Sequence, residues 1–434
     1  MYDVVGVGLG AANLGLAAAI EEHNADQARP RLLVRFVERQ PRFGWHRGML
    51  IEDARMQVSF LKDLVTLRNP GSRYSFLSYL RDNGRLVDFV NHQTFFPTRL
   101  EFHDYLEWVA GWFHHQVDYG VAVREIVPVD GDDTVLDVLA SAPAGDLRYR
   151  TRNVVIATGL RPHLPPGVEV GERVWHNRDL VPNVAALATA RGSAPLRLAV
   201  VGAGQSAAEA VEYLHRCFPD AQVHAVFGRY GYSPADDSPF ANRVFDPDAA
   251  AEFYTAPEAT KQAILGYHRG TNYSVVDPDL IGALYSRHYA ERVAGKERLR
   301  FHNLCTVAEV ADGDDEVALT VESMVDGARS VLSCDVVVYA TGYRSGDPRR
   351  FLTHPSLTCV DDGLGRPLID RDYRLSVPGT RAGVFVQGAT EHTHGISSTL
   401  LSNVAVRTGE IVAAIAARPG RAVADAAGSA SRSR

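Results

Sequence analysis

Two stretches of this chain repeat one pattern, and that pattern leaves few folds open. The chain begins with YDVVGVGLGAANLGLAAAIEE, a short apolar strand (Tyr2 to Val7) that runs into glycines and then into a helix rich in Ala and Leu. A second copy starts at Leu196 and reads LRLAVVGAGQSAAEAVEYL. Strand, tight turn and helix in that order predict a βαβ unit that binds a dinucleotide, with the pyrophosphate against the helix N-terminus. In the first copy Gly8 permits the turn, Gly10 lets the backbone approach the phosphates, and Asn13 stands where a third glycine is usual. The next strand, RLLVRFVER, brings Glu38 to where an acid takes ribose hydroxyls. In the second copy Gly202 and Gly204 play the same parts, Ala207 takes the third position, and Gln205 and Ser206 open the helix. Its following strand, QVHAVFG, ends without an acid and is followed by Arg229. An arginine there can pair with a 2′-phosphate, which favours NADPH over NADH; the other reading of Arg229 is a solvated loop residue.

Two apolar strands closing on Ala-Thr-Gly, NVVIATGLRP and DVVVYATGYRS, frame the second copy. In flavoproteins with two dinucleotide domains, such strands mark where the chain crosses between the FAD and NAD(P)H domains. The predicted fold is therefore α/β, with two Rossmann-like dinucleotide-binding domains, the second inserted in the first, and a small mainly helical substrate domain. Residues 1–165 and 335–417 are expected to bind FAD, 166–232 and 300–334 NADPH, and 233–299 the substrate, with 418–434 a disordered tail.

Composition narrows the chemistry. With 434 residues the chain exceeds one ordinary core, and a formal charge of -7 without a basic block argues against nucleic acid or an anionic membrane as partner. Cys217, Cys305, Cys334 and Cys359 are far apart, which argues against a zinc site, a disulfide scaffold and a redox dithiol. No signal peptide and no apolar run of membrane-spanning length is visible, so a cytoplasmic protein is expected. HxH occurs once, at His392 and His394, without further ligand spacing, so no metal is expected.

Long ordered motifs then carry a resemblance. GVGLGAANL, FGWHRGMLIEDARMQVSFLKDLVTLRNPGSRYSFLSYL, FFPTRLEFHDYLEW, GAGQSAAE, DDSPFANRVFDP, TNYSVVD, YATGY and THGISSTLLSNVAVRTGE run nearly the whole chain. They resemble the flavin-dependent monooxygenases that N-hydroxylate the side-chain amine of ornithine or lysine, and most of all the ornithine branch serving siderophore or piperazic-acid pathways. The resemblance implies FAD reduced by NADPH, O2 as co-substrate, a C4a-hydroperoxyflavin shielded by bound NADP+, and a neutral substrate amine attacking it. No catalytic side chain or metal is needed, because the cofactor supplies the oxygen chemistry and the protein a dry pocket. It also implies a homo-oligomer, a tetramer by family habit. Lysine or a diamine as substrate, and an uncoupled NADPH oxidase, are the alternatives; a diamine would leave a carboxylate-binding lysine without purpose.

The stretch MQVSFLKDLVTLRNP poses the sharpest local question, because Lys62 interrupts an apolar run where a leucine would pack better. On its own it reads as a surface or ion-paired lysine, with Asp63 and Arg68 as candidate partners. The resemblance implies instead that it contacts the substrate α-carboxylate, that Asn242 and Asn272 hold the amino-acid backbone, and that Ser402 lies near the reacting amine. It further implies that Trp45, His46, Gln57 and Arg99 surround the flavin, and that His394, Gly395 and Leu400 approach it from the C-terminal part. Trp45 could equally be core. Arg99 could equally pair with Glu101 or Asp104, on a helix whose apolar face is Phe102, Tyr105, Leu106 and Trp108. FANRVF and FGRYGYS depart from the familiar family wording, which leaves NADH use open.

Overall fold

The computed structural model describes residues 1–191 and 195–418, so the expected disordered tail falls almost wholly outside the described residues. The first sheet has five parallel strands in the order Gly383–Val386, Asn153–Ile156, Val4–Val7, Val34–Glu38, Val117–Tyr119. Three of them, VVGV, NVVI and GVFV, are buried throughout, as strands covered on both faces must be. On one face lies the helix Ala11–Ala25, whose alanines admit the C-terminal helix Val404–Ala416 at close range. A Cβ on Gly15 would stand 2.7 Å from Val404 Cγ1, so the helix crossing itself demands glycine. An antiparallel sheet of Ala122–Val129, Asp132–Ala142 and Gly145–Thr151 covers the other face through Ile126, Leu136 and Val138.

The second sheet repeats this plan. Its five parallel strands run Leu299–Asn303, Gln222–Phe227, Arg197–Val201, Val336–Tyr339, Val174–His176. Helices Gln205–Cys217, Leu180–Arg191 and Pro278–Val293 pack on one face, and the antiparallel strands Cys305–Asp312, Val317–Ser323 and Arg329–Cys334 on the other. Two boundaries therefore move. Val336–Tyr339, expected in the first domain, pairs with Arg197–Val201 inside the second. Helix Pro278–Val293, expected in the small domain, buries Leu284 in the second core and is its crossover helix. Between them the helices Pro247–Thr255, Glu258–Tyr267 and Arg269–Asn272 form the small helical segment. The chain leaves and re-enters the first domain on one two-stranded antiparallel ribbon, Leu160–Pro162 against Tyr343–Ser345.

The two halves share a core. Met49, Ile51 and Ala54 belong to the first domain by sequence, yet pack with Trp175, Leu180 and Val184 of the second. Gly48 makes that approach possible, since a Cβ there would lie 1.8 Å from the Arg178 carbonyl oxygen. Among the described residues no helix is long and apolar enough to cross a membrane, and no cluster of three or more metal-binding side chains occurs. All four cysteines are free.

Candidate functional site: two glycine turns and an unpaired lysine

Both glycine turns have the shape a diphosphate needs. Gly8 sits at φ +86, and a Cβ there would meet the Ala157 carbonyl at 2.7 Å. Gly10 caps the helix Ala11–Ala25 with no side chain of its own, and the space where its Cβ would stand is empty. The first N–H groups of this helix thus face an open cradle with no protein acceptor from a cap, which is what an anion at a helix N-terminus requires. Asn13 does not face the cradle. Fully buried, it donates to the Gly8 carbonyl at 2.7 Å and accepts from Gln387 Nε2 at 3.0 Å, so it braces the turn. Glu38 accepts the N–H of Leu9 at 2.7 Å and of Gln40 at 2.8 Å. Its carboxylate stands beside the first turn, where a ribose would lie, and holds that turn closed.

In the second turn Gly202 has φ +144, and its Cβ would meet the Ala340 carbonyl at 2.4 Å. Ala207 is fully buried against Gly202, which explains a small residue at that position. Gly204 is an uncapped helix start, closely approached by Ser274. Gln205 accepts the Asp277 N–H at 2.8 Å and donates to Glu209 at 3.0 Å, and Ser206 is half-buried in the same first turn. Arg229 lies just beyond its strand, exposed, and donates from one nitrogen to the Ser274 carbonyl at 2.8 Å. The rest of its guanidinium remains available to a phosphate.

The FGWHRG loop forms a wall between the domains. Trp45 and His46 meet edge to face at 4.5 Å, and Trp45 also packs on Phe102. His46 adopts a left-handed φ of 50. It retains contact with solvent but is hemmed in by protein; this desolvation, helped by the charge of Arg99, lowers its pKa to about 4. Gln57 is exposed, and its amide has no protein partner among the described residues. Arg99 departs from expectation. Its guanidinium is engaged with Glu209 at 2.8 and 3.0 Å and with the Met49 carbonyl at 2.9 Å, rather than with Glu101 or Asp104. Glu101 pairs with Arg85 instead.

The question raised by Lys62 is answered by elimination of its neighbours. Asp63 is buried and accepts the N–H groups of Val65, Thr66 and Phe76 together with the Thr66 hydroxyl. Arg68 bonds Glu22, Thr408 and the Ala405 carbonyl. Lys62 is half-buried with no ion pair among the described residues, its ammonium 5.6 Å from the centre of the Phe245 ring. Desolvation lowers its pKa, with Asp246 opposing. A partly buried cation without a paired acid is costly unless something anionic arrives.

Of the other expected substrate contacts, Asn242 shares a turn with Phe245, over which the Lys62 ammonium lies. Asn242 lies in the turn Ala241–Phe245 and donates to the Asp237 carbonyl at 2.7 Å. Ser402 is buried in the turn Leu401–Asn403. With the Asn403 amide oriented to satisfy its neighbours, its nitrogen donates to the carbonyls of Ser402 and Phe245, at 3.3 and 3.1 Å, tying the two turns together. Asn272 ends the short helix Arg269–Asn272, and its side chain lies outside what the structure describes. Gly395, at φ +78, packs against the Phe253 ring, and Leu400 is half-buried before the Ser402 turn. His394 is a correction. It is buried, stacked 4.0 Å from Tyr373 and bonded to the Arg371 carbonyl and Thr393, so the core holds both ring nitrogens; burial lowers its pKa to about 4, against the Arg371 carbonyl, which raises it.

Three residues escaped the sequence reading. Glu209 closes the ion pair with Arg99. Arg407, buried in the helix Val404–Ala416, donates to Gln387 at 3.2 Å and to the Ser398 carbonyl at 2.8 Å, and Gln387 in turn reaches Asn13. An arginine inside the apolar run VAVRTGEIVAAIA was the available signal for that network.

Known proteins share this arrangement. The sequence model of the L-lysine 6-monooxygenase/L-ornithine 5-monooxygenase family matches residues 1–345. An L-ornithine N(5)-monooxygenase of Burkholderia cepacia is 41% identical over 403 residues, covering 91% of this chain and 90% of that one. An ornithine N-hydroxylase of Kutzneria, solved with reduced FAD, NADP+ and L-ornithine, superposes with a TM-score of 0.91 at 47% identity, over 96% of this chain and 99% of the other. The ornithine hydroxylase of Pseudomonas aeruginosa gives 0.88 at 36% identity, over 96% and 98%. With two glycine turns opening helices and, among the described residues, a lysine without an ion pair, the chain belongs to the L-lysine 6-monooxygenase/L-ornithine 5-monooxygenase family.

Proposed function

We propose that this protein hydroxylates the side-chain nitrogen of L-ornithine, using FAD, NADPH and O2 and producing N5-hydroxyornithine. The observation that carries the reading is Lys62, a half-buried ammonium with no ion pair among the described residues, over Phe245, whose turn holds Asn242 and is tied through Asn403 to the Ser402 turn. An α-carboxylate supplies the missing charge, and the hydrogen-bonding groups of Asn242 and Asn272 are suited to hold the amino-acid end. The first glycine turn, with Glu38 beside it, fits the diphosphate and ribose of FAD; the second, with Arg229, fits NADPH. When bound, the flavin supplies the activation of O2. The protein's part is position: Lys62 anchors one end of the substrate while Gln57, Trp45 and His46 border the cofactor side, so the amine is carried a set distance toward the flavin. His46, with its depressed pKa, is neutral at pH 7 and adds no cation beside the ring.

The small helical segment is the substrate's enclosure in this reading, and the protein works as a cytoplasmic homo-oligomer. Siderophore or piperazate-type biosynthesis is the class of pathway that consumes such a hydroxylamine. A second reading keeps the chemistry and changes the substrate to L-lysine, as the family's own description allows; one methylene is worth only ~1–3 kcal/mol of discrimination. The test is hydroxylamine formation with ornithine, lysine and putrescine under NADPH and under NADH. Product from ornithine alone supports the proposal, product from lysine alone replaces the substrate, and hydrogen peroxide without product under every condition overturns the hydroxylase reading.

A further inference from the structure

The ribbon on which the chain crosses between domains breaks a rule of strand pairing. Arg161 on Leu160–Pro162 and Arg344 on Tyr343–Ser345 are direct cross-strand partners, and like charges in that position destabilise a ribbon. Neither has an acid partner among the described residues. Arg344 donates to His163 Nε2 at 3.0 Å, which requires that nitrogen to be an unprotonated acceptor. A third guanidinium joins them. Arg350 Nη1 and Arg161 Nε lie 2.8 and 3.5 Å from the point where a Cβ on Gly346 would stand, so the missing side chain lets two cations approach one spot. Arg350 Nη1 is buried with no hydrogen-bond acceptor among the described residues, while Nη2 donates to Thr158 Oγ1 at 2.9 Å. The nearby Asp347 is taken by Arg349, which also claims Asp361.

We propose that Arg161, Arg344 and Arg350 form an anion site that takes a phosphate group at the domain crossover. Three planar donors without a carboxylate match the several acceptor oxygens of a phosphate. The cluster adjoins the first glycine turn, because Thr158 follows the Ala157 carbonyl that abuts Gly8. The phosphate therefore comes either from the diphosphate of the flavin cofactor, a source that rests on the FAD reading above, or from a free phosphate compound in solution.

The test uses R161S/R344S, whose side chains are exposed, and R350Q as a second variant. Calorimetric titration of the holoenzyme with inorganic pyrophosphate at constant ionic strength probes the solution source. Flavin fluorescence on reconstitution probes the cofactor source through the FAD dissociation constant. Saturable pyrophosphate binding that weakens about tenfold or more in both variants establishes a site for a free phosphate compound, the scale expected for lost charge-assisted bonds. No pyrophosphate binding, with an FAD dissociation constant raised about tenfold in both variants, establishes the cofactor diphosphate as occupant. If R161S/R344S changes neither quantity, whatever R350Q does, the site is refuted. Should the wild type hold no FAD, the cofactor reading fails while the pyrophosphate titration still decides this one.

Discussion

Arg99 and Glu209 hold each other in a two-pronged ion pair, 2.8 and 3.0 Å, across the boundary between the dinucleotide domains. Arg99 opens the helix Arg99–Trp112 of the first domain, while Glu209 sits in the helix that starts at the second glycine turn. Both side chains are largely withdrawn from water, at 14% and 6% exposure. Removing one partner strands the other, which costs ~3–5 kcal/mol, whereas replacing both with apolar residues is often close to neutral. E209Q should therefore lower stability in urea unfolding by about 3 kcal/mol or more, and R99M/E209L should recover most of the loss. A double variant as unstable as the single one would show that the pair is not the coupled unit.

Lys62 has no ion pair among the described residues and feels Asp246 only at longer range, so losing it should harm substrate binding more than the fold. K62M keeps the apolar stem over Phe245 and removes the cation. KM for ornithine should rise about a hundredfold, the ~2.7 kcal/mol of two pKa units' worth of charge pairing. Flavin reduction by NADPH and the unfolding midpoint should stay near wild type, because K62M keeps the stem over Phe245 and removes only a charge without an ion pair. Slowed flavin reduction in K62M would contradict the assignment.

Asn13 should be irreplaceable by the residue the common glycine pattern carries. N13G removes the donor to the Gly8 carbonyl and the acceptor for Gln387, at a site with no water access. Unpaired buried groups cost ~1–3 kcal/mol each, so stability should fall by that order and the protein should purify with less flavin. Undiminished flavin content in N13G would show that the turn holds its shape without this brace.

Stability should fall on acidification from about pH 6.5 toward about pH 4. The His394 imidazole has a pKa of about 4 in the fold, below its ordinary 6.5. Between those values the unfolded chain binds the proton and the folded one does not, so this contribution is full above pH 6.5 and is lost as pH falls through the window. The group alone adds a slope of up to ~1.4 kcal/mol per pH unit. Urea unfolding at pH 7.5, 6.0 and 5.0 measures it, and H394N should flatten the slope. A slope unchanged in H394N would place the titration on other groups.

Much of this was legible in one dimension because it depends on local stereochemistry. Gly8 and Gly202 must adopt positive φ beside a carbonyl, and only a few residue types manage that. Buried parallel strands read as continuous apolar runs for the same reason, and VVGV, NVVI and VVVY are such runs. The amphipathic face of Arg99–Trp112 was visible in its period, and Phe102, Tyr105 and Leu106 are fully buried as expected.

What the sequence by itself determined, then, is the pair of cradles, the inserted order of domains and the oddity of a lysine in an apolar run. Only the tertiary structure decided which charges find each other. Asp63 looks like a partner for Lys62 but turns back on its own loop and on Phe76; Glu209 is remote in sequence from Arg99 yet meets it in space. The same holds for Val336–Tyr339, whose apolar run fits either sheet and is placed in the second by its register with Arg197–Val201. An ion pair or a strand register is a contest among all groups that folding brings within reach, and spacing along the chain carries only its nearest competitors.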